Sequence, residues 1–457
     1  MTDGPDEPRG AGRIAQVRAL ARKLLRPHRE YAAFGMRVAY TGLALAVSIL
    51  LARLLGPAPL GQYYEFVAWA LLIGTVVQSG WANFLVREVA ALRETRRYAE
   101  LRGLIRVAIA IVAGLSLAGT CLFLAVTWLT ARPEVFELFL VGSPIILLLS
   151  TSSLRQAITR GMGRPLWGLL CENITRPGVQ LIGLCLFASG VVALPFTPLV
   201  AVAVFVVAIS SSAVLAYFLQ KASTREIRGN EPPRLPPRSE WLPAFLRTAV
   251  LGWAHALGLQ IGTLVLSGFS SDVEIAYFRI GQQLSLLLAF GLTVATSLYA
   301  QDFSRHFVRG DLQAVQRLAS KAALISGATA IAVGMIFLVG GEALIGRLYG
   351  AEFVPAYAPM AIMAVGQIVN NLYGPMTAVC LGTRNEKAAM RAQLLSVLLS
   401  TMLSFALVPL WGAEGAAVAT ALGFVFWNTY LFIFLKRRLN LTIFAGSLFL
   451  VRRRGDS

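Results

Sequence analysis

Long apolar stretches alternate with short polar segments along almost the whole chain. The first stretch runs from Val38 to Leu54 and ends at Gly56-Pro57, and a second begins at Leu60. Glycine and proline in these positions end one helix and start another. Each stretch approaches the roughly 20 apolar residues that a membrane-spanning helix needs. The pattern therefore predicts a tight hairpin of two membrane spans.

The same alternation continues to the end of the chain and predicts twelve spans. Between the sixth and seventh lies one long polar segment, Lys221 to Glu240, which contains paired prolines and scattered charges. Such a segment is typical of a linker between two halves. The predicted spans are about 35–54, 61–86, 104–130, 136–158, 166–189, 195–219, 242–267, 273–301, 318–340, 355–381, 388–409 and 413–435.

The second half contains a weaker copy of the first hairpin. Aligning Tyr63 with Tyr277 places Glu65 opposite Arg279. We therefore expect two pseudo-symmetric lobes of six helices around a central cavity. The predicted organisation is a basic amphipathic cytoplasmic segment (1–34), the N-terminal lobe (35–220), a cytoplasmic linker (221–240), the C-terminal lobe (241–438) and a basic cytoplasmic tail (439–457).

Composition supports an all-α integral membrane protein. Hydrophobic residues make up 56% and charged residues 14% of the 457 residues, and the mean hydropathy is +0.67. Soluble domains have roughly 45–50% apolar and about 25% charged residues. All four cysteines lie inside apolar stretches, which indicates small core residues and not a metal site or a disulfide framework.

The basic residues are distributed unevenly over the predicted topology. With the N-terminus in the cytoplasm, 36 of the 41 Lys and Arg residues fall in cytoplasmic segments, three in outer segments and two within spans. This asymmetry is what the positive-inside rule predicts, with both termini cytoplasmic. The net charge of +18 therefore needs no nucleic-acid partner. The basic N-terminal helix is instead expected to contact anionic lipids at the cytoplasmic face.

Catalytic and metal-binding motifs are lacking in the sequence. There is no His-Glu-x-x-His, no glycine-rich phosphate loop with its lysine and no paired aspartates in a loop. We therefore predict a protein that is not an enzyme and has neither catalytic residues, a metal site nor a cofactor. The sequence leaves open whether Na⁺ or H⁺ coupling drives its cycle.

Two arginines fall within predicted spans, where a charge is expected to face the protein interior or water. Arg176 lies near the middle of the fifth span, and Glu172, one turn earlier, is an alternative partner that would simply neutralise it. Arg279 lies near the outer end of the eighth span. It is expected either to pair with Glu65 when the outer side is closed, or to contact an anionic substrate. Snorkelling of both side chains to the interface is the alternative.

Other polar residues extend this candidate substrate site. Arg37, one turn into the first span, is expected to meet the substrate on entry or to contact a lipid headgroup. Polar side chains on the seventh and eighth spans are suited to binding sugar hydroxyls, with helix packing as their alternative role. The full set of predicted substrate-binding residues is Arg37, Arg176, Arg279, His255, Gln260, Gln282 and Gln283.

Several motifs resemble a known family. Near the N-terminus these are Ala52-Arg-Leu-Leu-Gly-Pro-x-x-Leu-Gly-x-Tyr and Leu85-Val-Arg-Glu-Val-Ala. The C-terminal half contains Leu348-Tyr-Gly-Ala-Glu-Phe-x-Pro, Asn370-Asn-Leu-Tyr-Gly-Pro and Trp411-Gly-Ala-Glu-Gly-Ala-Ala. Together they are similar to polysaccharide-type exporters, the lipid-linked oligosaccharide flippases (O-antigen flippases among them) of the multidrug/oligosaccharidyl-lipid/polysaccharide exporter superfamily.

This resemblance implies alternating access and a substrate of sugar units on undecaprenyl pyrophosphate. The chain would move it from the cytoplasmic to the outer leaflet of the bacterial inner membrane, for lipopolysaccharide or exopolysaccharide synthesis, with polysaccharide polymerase machinery as a further partner. Arg37, Arg279 and Arg53 fall where such flippases tend to have cationic groups. Arg176 is a candidate particular to this chain.

Two alternative functions remain open at the level of the sequence. A cation-coupled multidrug extruder of the same superfamily would need an intramembrane carboxylate cluster, and the first span contains no acidic residue. A membrane polysaccharide polymerase or ligase would need a large outer loop with catalytic residues, whereas all predicted outer loops are short.

Overall fold

A computed structural model of the chain describes residues 10–129, 133–227, 231–235 and 237–447, and the regular secondary structure in these ranges is entirely helical. A π-helical turn, Cys171–Thr175, and short 3₁₀ turns at Arg225–Ile227, Leu286–Ala289 and Ala351–Ala356 connect some of the helices. The α-helices are α1 Gly10–Leu55, α2 Pro57–Gln78, α3 Trp81–Glu94, α4 Tyr98–Leu129, α5 Pro133–Gly142, α6 Pro144–Gly161, α7 Pro165–Leu170, α8 Arg176–Ala188, α9 Pro198–Ser223, α10 Arg238–Phe269, α11 Asp272–Ser285, α12 Phe290–Val308, α13 Leu312–Leu348, α14 Tyr357–Tyr373, α15 Met376–Gly382 and α16 Glu386–Leu439.

Each of the twelve predicted spans has a helical counterpart. Within the described residues, nine helical stretches are long and apolar enough to cross a membrane. The last of them, α16, contains both the eleventh and twelfth predicted spans, which meet at a non-helical residue, Gly412 (φ 53°, ψ −128°). The fifth span corresponds to α7, the π turn and α8, and the seventh to α10. The predicted all-helical membrane fold is thus confirmed.

Three predicted spans are broken in ways that the apolar pattern does not show. The second span is divided into α2 and α3 at Gly80 (φ 87°), and the tenth into α14 and α15 at Gly374 (φ 73°). The fourth is divided into α5 and α6 just before Pro144. Glycine adopts a positive φ at little steric cost, which permits the breaks at Gly80 and Gly374, and a proline at the first position of α6 accompanies the break in the fourth span.

The predicted N-terminal segment is helical from Gly10 and continues without interruption into the first span, as α1. Residues 1–9 of this segment, and residues 448–457 of the predicted basic tail, lie outside the described residues. The described part of the tail packs on the C-terminal lobe. Ser447 Oγ lies 2.7 Å from Ser320 Oγ on α13, and the amide nitrogen of Ala445 donates to the carbonyl of Leu372 at 2.9 Å.

The helices pack as two lobes, α1–α9 and α10–α16. The lobes meet mainly where α2 and α3 pack against α10 and where α2 packs against α11. One buried apolar cluster is continuous across this interface: it includes Leu51 and Leu60 from the first lobe with Leu266 and Ile275 from the second. All four lie near the turns α1–α2 and α10–α11, which we call the hairpin end of the bundle. We call the opposite end, with the α3–α4 and α12–α13 connections, the basic end.

The tightest approach between the lobes is at the hairpin end. A Cβ on Gly61, in the first turns of α2, would overlap the backbone carbonyl of Asp272 at the start of α11. Gly61 is therefore required for the two helix N-termini to meet.

Replacing Gly61 by valine is expected to destabilise the protein by about 1–3 kcal/mol, because a branched side chain has to push α2 and α11 apart. The measurement is thermal unfolding in detergent. Gly42→Ala on α1 is the matched control, since nothing lies within 4 Å of a Cβ at that glycine. Equal melting temperatures for the two variants would contradict the close approach.

The linker predicted between the halves is docked on the first lobe where the structure describes it. Arg102 on α4 donates to the carbonyls of Ile227 and Glu231, at 2.7 and 2.6 Å. The amide nitrogen of Arg234 donates to the carbonyl of Ala99 at 3.1 Å. These bonds attach the described linker residues to α4.

Candidate functional site

Arg279 lies on α11, two turns from the helix start, at the interface between the lobes. Its Nη1 donates to Oε1 of Gln282, one turn further on, at 2.9 Å and to Oε1 of Gln260 on α10 at 3.3 Å. Its guanidinium carbon lies 5.3 Å from the centre of the Tyr64 ring on α2, a cation–π contact across the interface. All of these partners are uncharged, so the positive charge of Arg279 is not neutralised by them.

The hydroxyl groups of Tyr63, Tyr64 and Tyr349 make hydrogen bonds near the interface between the lobes, and the contact of Tyr349 crosses it. The Tyr64 hydroxyl lies 3.2 Å from Oγ of Ser48 on α1, and the hydroxyl of Tyr349, in the second lobe, lies 3.4 Å from the same Oγ. The Tyr63 hydroxyl accepts a hydrogen bond from Nε2 of Gln180 on α8 at 3.1 Å. The two tyrosines thus form a polar layer inside the apolar cluster.

Arg176 follows directly on the π turn and starts α8. Its amide nitrogen donates to the carbonyl of Cys171 five residues earlier, which is the π-helical pattern. Ser212 Oγ on α9 donates to the same carbonyl at 2.8 Å. Pro177 has no amide hydrogen to continue the α-helical ladder, which favours an irregular turn here. The π turn changes the direction in which the side chains before and after it point.

A small cavity of about 40 Å³ opens beside this turn. Its lining comes entirely from the first lobe and combines two charged groups with amides and hydroxyls. The polar lining residues are Gln78 on α2, Ser152, Ser153 and Gln156 on α6, Glu172 in the π turn, Arg176 on α8 and Ser212 on α9.

The two intramembrane arginines belong to different lobes and lie near the tyrosine pair. Arg176 is one turn before Gln180 on α8, whose Nε2 donates to the Tyr63 hydroxyl. The Arg279 guanidinium lies over the ring of the adjacent Tyr64. The structure therefore brings together Arg176 and Arg279, which are 103 positions apart in the sequence, around the tyrosine pair.

Arg37 contacts the second lobe at a different point. Its Nη1 donates to Oγ of Ser297 on α12 at 3.3 Å, and one turn earlier the rings of Phe34 and Phe290 lie 5.9 Å apart. The Arg37 side chain is otherwise exposed. This contact joins α1 to α12. It lies closer to the basic end of the bundle than Arg176 and Arg279 do.

The remaining predicted site residues divide into two groups. Gln260 and Gln282 belong to the Arg279 cluster through the bonds given above, whereas no hydrogen bond is recorded among the described residues for the exposed His255 or the half-buried Gln283. Glu65 is buried, with 6% exposure. Glu65 has an interaction of its own, and its pairing with Arg279 stays a prediction.

Arg53 links the lobes at the hairpin end, next to the glycine contact. From the end of α1 its Nε donates to the carbonyl of Leu348 at 2.7 Å and its Nη2 to the carbonyl of Arg347 at 2.5 Å. These carbonyls lie at the C-terminus of α13, where the helix dipole favours a cation. We call these two hydrogen bonds from Arg53 to the end of α13 the Arg53 clasp. The hairpin end is therefore closed by the Arg53 clasp, the Ser48–Tyr349 contact and the close packing at Gly61.

Sequence reasoning did not assign a role to Tyr63, Tyr64, Ser48 or Tyr349. The one signal in the sequence was the alignment of Tyr63 with Tyr277, which indicated an internal repeat and not a role in binding. Within the part of the chain that the structure describes, no group of three or more His, Cys, Asp and Glu side chains is placed to hold a metal ion.

Comparison with known families supports the resemblance seen in the motifs. Residues 32–300 match the family described as "Polysaccharide biosynthesis protein", and residues 178–454 match the family "Lipid II flippase MurJ".

Among characterised relatives, lipid II flippase MurJ of Bacillus subtilis is 29% identical over 34% of this chain and 28% of its own length. The probable low-salt glycan biosynthesis flippase Agl15 of Haloferax volcanii is 27% identical over 33% of this chain and 31% of its own length. The chain thus aligns with under a third of each relative.

Solved structures share the fold across most of the chain. An inward-facing multidrug resistance MATE transporter of the MOP superfamily superposes with a TM-score of 0.70 at 12% identity, covering 90% of this chain and 98% of that one. Lipid II flippase MurJ in an inward closed conformation gives a TM-score of 0.70 at 15% identity, covering 89% and 87%.

The relatives are flippases and transporters, in agreement with the prediction that the chain is not an enzyme. Two family models that each match more than half of the chain lead to one assignment. The chain is a multi-pass membrane protein that belongs to the polysaccharide biosynthesis protein family and also matches the lipid II flippase MurJ family.

Proposed function

We propose that the protein moves an oligosaccharide linked to undecaprenyl pyrophosphate from the cytoplasmic to the outer leaflet of a bacterial inner membrane. The names of its relatives support a lipid-linked glycan as the substrate class. The concentration of Lys and Arg at one end of the bundle supports a cytoplasmic basic end, with both termini on that side.

The observation that carries the proposal is the position of an intramembrane arginine from each lobe beside the tyrosine pair. Arg279 lies over the ring of Tyr64, and Arg176 is one turn before Gln180, which is bonded to Tyr63. A pyrophosphate has two adjacent anionic groups, and arginine binds such groups through paired hydrogen bonds. Within the described residues, the recorded partners of Arg279 are uncharged, so an anion is the ligand that would satisfy its charge. A pyrophosphate between the arginines would also connect the two lobes.

Closure of the hairpin end suggests which state of the cycle this structure represents. With the basic end cytoplasmic, the hairpin end faces the outside, and the Arg53 clasp closes the outer side. The substrate then enters from the cytoplasmic side past Arg37, and its pyrophosphate reaches Arg279 while the lipid tail stays in the bilayer. Release to the outer leaflet requires the clasp to open, which is the step of alternating access.

Further features of the proposal concern the surroundings of the protein. Anionic lipids would bind the basic N-terminal helix, and a polysaccharide polymerase would use the translocated product. Gln260, Gln282, Gln283 and His255 are proposed to line the path of the sugars in the second lobe. The proposal leaves the coupling ion, Na⁺ or H⁺, unassigned.

A multidrug extruder shares this fold and is the alternative within the superfamily. The described part of the first span, residues 31–55, has no acidic residue to bind a coupling cation or a cationic drug. Overexpression is therefore expected to leave drug susceptibility unchanged.

Deletion of the gene tests the proposal. We expect surface polysaccharide to disappear and an undecaprenyl-pyrophosphate-linked oligosaccharide to accumulate on the inner leaflet, with both effects reversed by the wild-type gene. Full surface polysaccharide in a deletion strain that has no second flippase would refute the function.

A further inference from the structure

The polar cavity at the π turn is chemically distinct from the surroundings of Arg279. We propose that it is a saccharide subsite, which holds the sugar unit next to the pyrophosphate of the lipid-linked substrate. This inference rests on the proposed function and extends it, because it assigns recognition of the glycan to the first lobe.

Glu172 and Arg176 both line this cavity without neutralising each other. Among the described residues, the structure records no ion pair for either side chain, although they are one turn apart. The sequence allows an alternative in which Glu172 and Arg176 neutralise each other as an ion pair. The recorded contacts of the described residues do not include that pair. Two opposite charges that face one cavity without pairing leave both a strong acceptor and a strong donor available to a ligand.

Neighbouring polar atoms also lack partners. Oε1 of Gln78 and Nε of Arg160 are buried without a hydrogen-bond partner. The amide of Gln156, oriented with its nitrogen towards the π turn, donates to Oε2 of Glu172 at 3.2 Å and accepts from Oγ of Ser152 at 3.2 Å. A buried polar group without a partner is costly, so unsatisfied atoms beside a cavity indicate a missing hydrogen-bonding ligand.

The charge balance of the lining selects a neutral ligand. A free anion would be repelled by Glu172 and a free cation by Arg176, whereas hydroxyl groups both donate and accept. A sugar can donate to the Glu172 carboxylate and to Oε1 of Gln78 while it accepts from the Arg176 guanidinium. The cavity is small, about 40 Å³, so it receives the hydroxyl groups at one edge of the sugar and not the whole ring.

The location of the cavity fits the order of groups in the substrate. Arg176 lines the cavity and is one turn before Gln180, which is bonded to Tyr63. The adjacent Tyr64 contacts Arg279. The first sugar of a lipid-linked oligosaccharide is bonded directly to the pyrophosphate. With the pyrophosphate at Arg279, that sugar is the part of the substrate closest to Arg176 and Glu172.

The test compares binding of two lipids to the purified protein in nanodiscs. One is the lipid-linked oligosaccharide extracted from the deletion strain, and the other is undecaprenyl pyrophosphate without sugar. Wild-type protein is expected to bind the glycosylated lipid more tightly. Glu172→Gln is expected to reduce this preference about tenfold, since it removes a charged acceptor for hydroxyl groups, and to leave binding of the bare lipid within about twofold. Gln78→Met is expected to reduce the preference in the same direction.

Two control variants make the result specific. Glu386→Gln, at the exposed start of α16, is expected to behave as wild type. Arg279→Gln is expected to weaken binding of both lipids by a similar factor. If Glu172→Gln keeps the wild-type preference, or if wild type has none, the saccharide subsite is refuted while the proposed function stands. If the wild-type protein binds neither lipid, or if no glycolipid accumulates in the deletion strain, the proposed function itself fails.

Discussion

Replacement of Arg279 by glutamine is expected to slow the appearance of surface polysaccharide by roughly ten- to a hundredfold. Hydrogen bonds to charged groups contribute about 1.5–3 kcal/mol, and each 1.4 kcal/mol corresponds to about tenfold in affinity. Glutamine preserves much of the side-chain length and the polarity towards Gln260 and Gln282, but removes the charge. The loss is therefore expected in substrate binding and not in folding.

The measurement is complementation of the deletion strain, with surface polysaccharide followed over time after induction and the amount of protein in the membrane determined by immunoblot. Arg305→Gln is the matched control, because Arg305 lies on α12 near the basic end and pairs with Asp302 at 2.9 Å on the surface. Surface ion pairs contribute little, so this variant should complement fully. Normal export by Arg279→Gln at a normal protein level would exclude Arg279 from the substrate site.

Replacement of Arg53 by methionine is expected to open the hairpin end. The side chain of Arg53 joins α1 to the last carbonyls of α13 through two hydrogen bonds, and a methionine of similar length makes neither. The equilibrium between a closed and an open hairpin end should shift towards the open state in proportion to the interaction that is lost. We expect about a tenfold higher population of the open state.

A cysteine in place of Ala52, which is fully buried beside the clasp, reports this opening. In a background without the four native cysteines, its labelling by a membrane-impermeant maleimide from outside the cell is expected to be about tenfold faster in the Arg53→Met variant. Arg347→Met is the control, since Arg347 contributes only its backbone carbonyl to the clasp. Equal labelling rates with and without Arg53 would show that the clasp does not hold the hairpin end closed.

The membrane spans could be predicted from sequence because hydropathy over about 20 residues is a local property. The break at Gly80 could not, because a positive φ at glycine leaves the apolar pattern unchanged, whereas Gly374-Pro375 carries the same glycine–proline signal as Gly56-Pro57. The docking of the linker was missed for a similar reason: Arg102 binds backbone carbonyls, and every residue offers a carbonyl whatever its side chain.

The two arginines were identified as candidates because each is a charge within an apolar stretch. Their position beside the tyrosine pair depends on how the lobes pack, and no local pattern encodes it. The internal repeat aligned Glu65 with Arg279, and their pairing stays a prediction. The recorded hydrogen bonds of Arg279 go to Gln260 and Gln282, neighbours on α10 and α11.

The docked linker limits how far the lobes can separate on one side of the basic end. Arg234 is bonded to α4, and α10 begins at Arg238, so the tether between these points is only about 14 Å long when fully extended. A wide gap cannot form beside α4 and the start of α10 while this attachment holds. Any large entrance at the basic end is therefore expected on the flank of α1 and α12, where a single arginine–serine hydrogen bond and one pair of phenylalanine rings would have to separate.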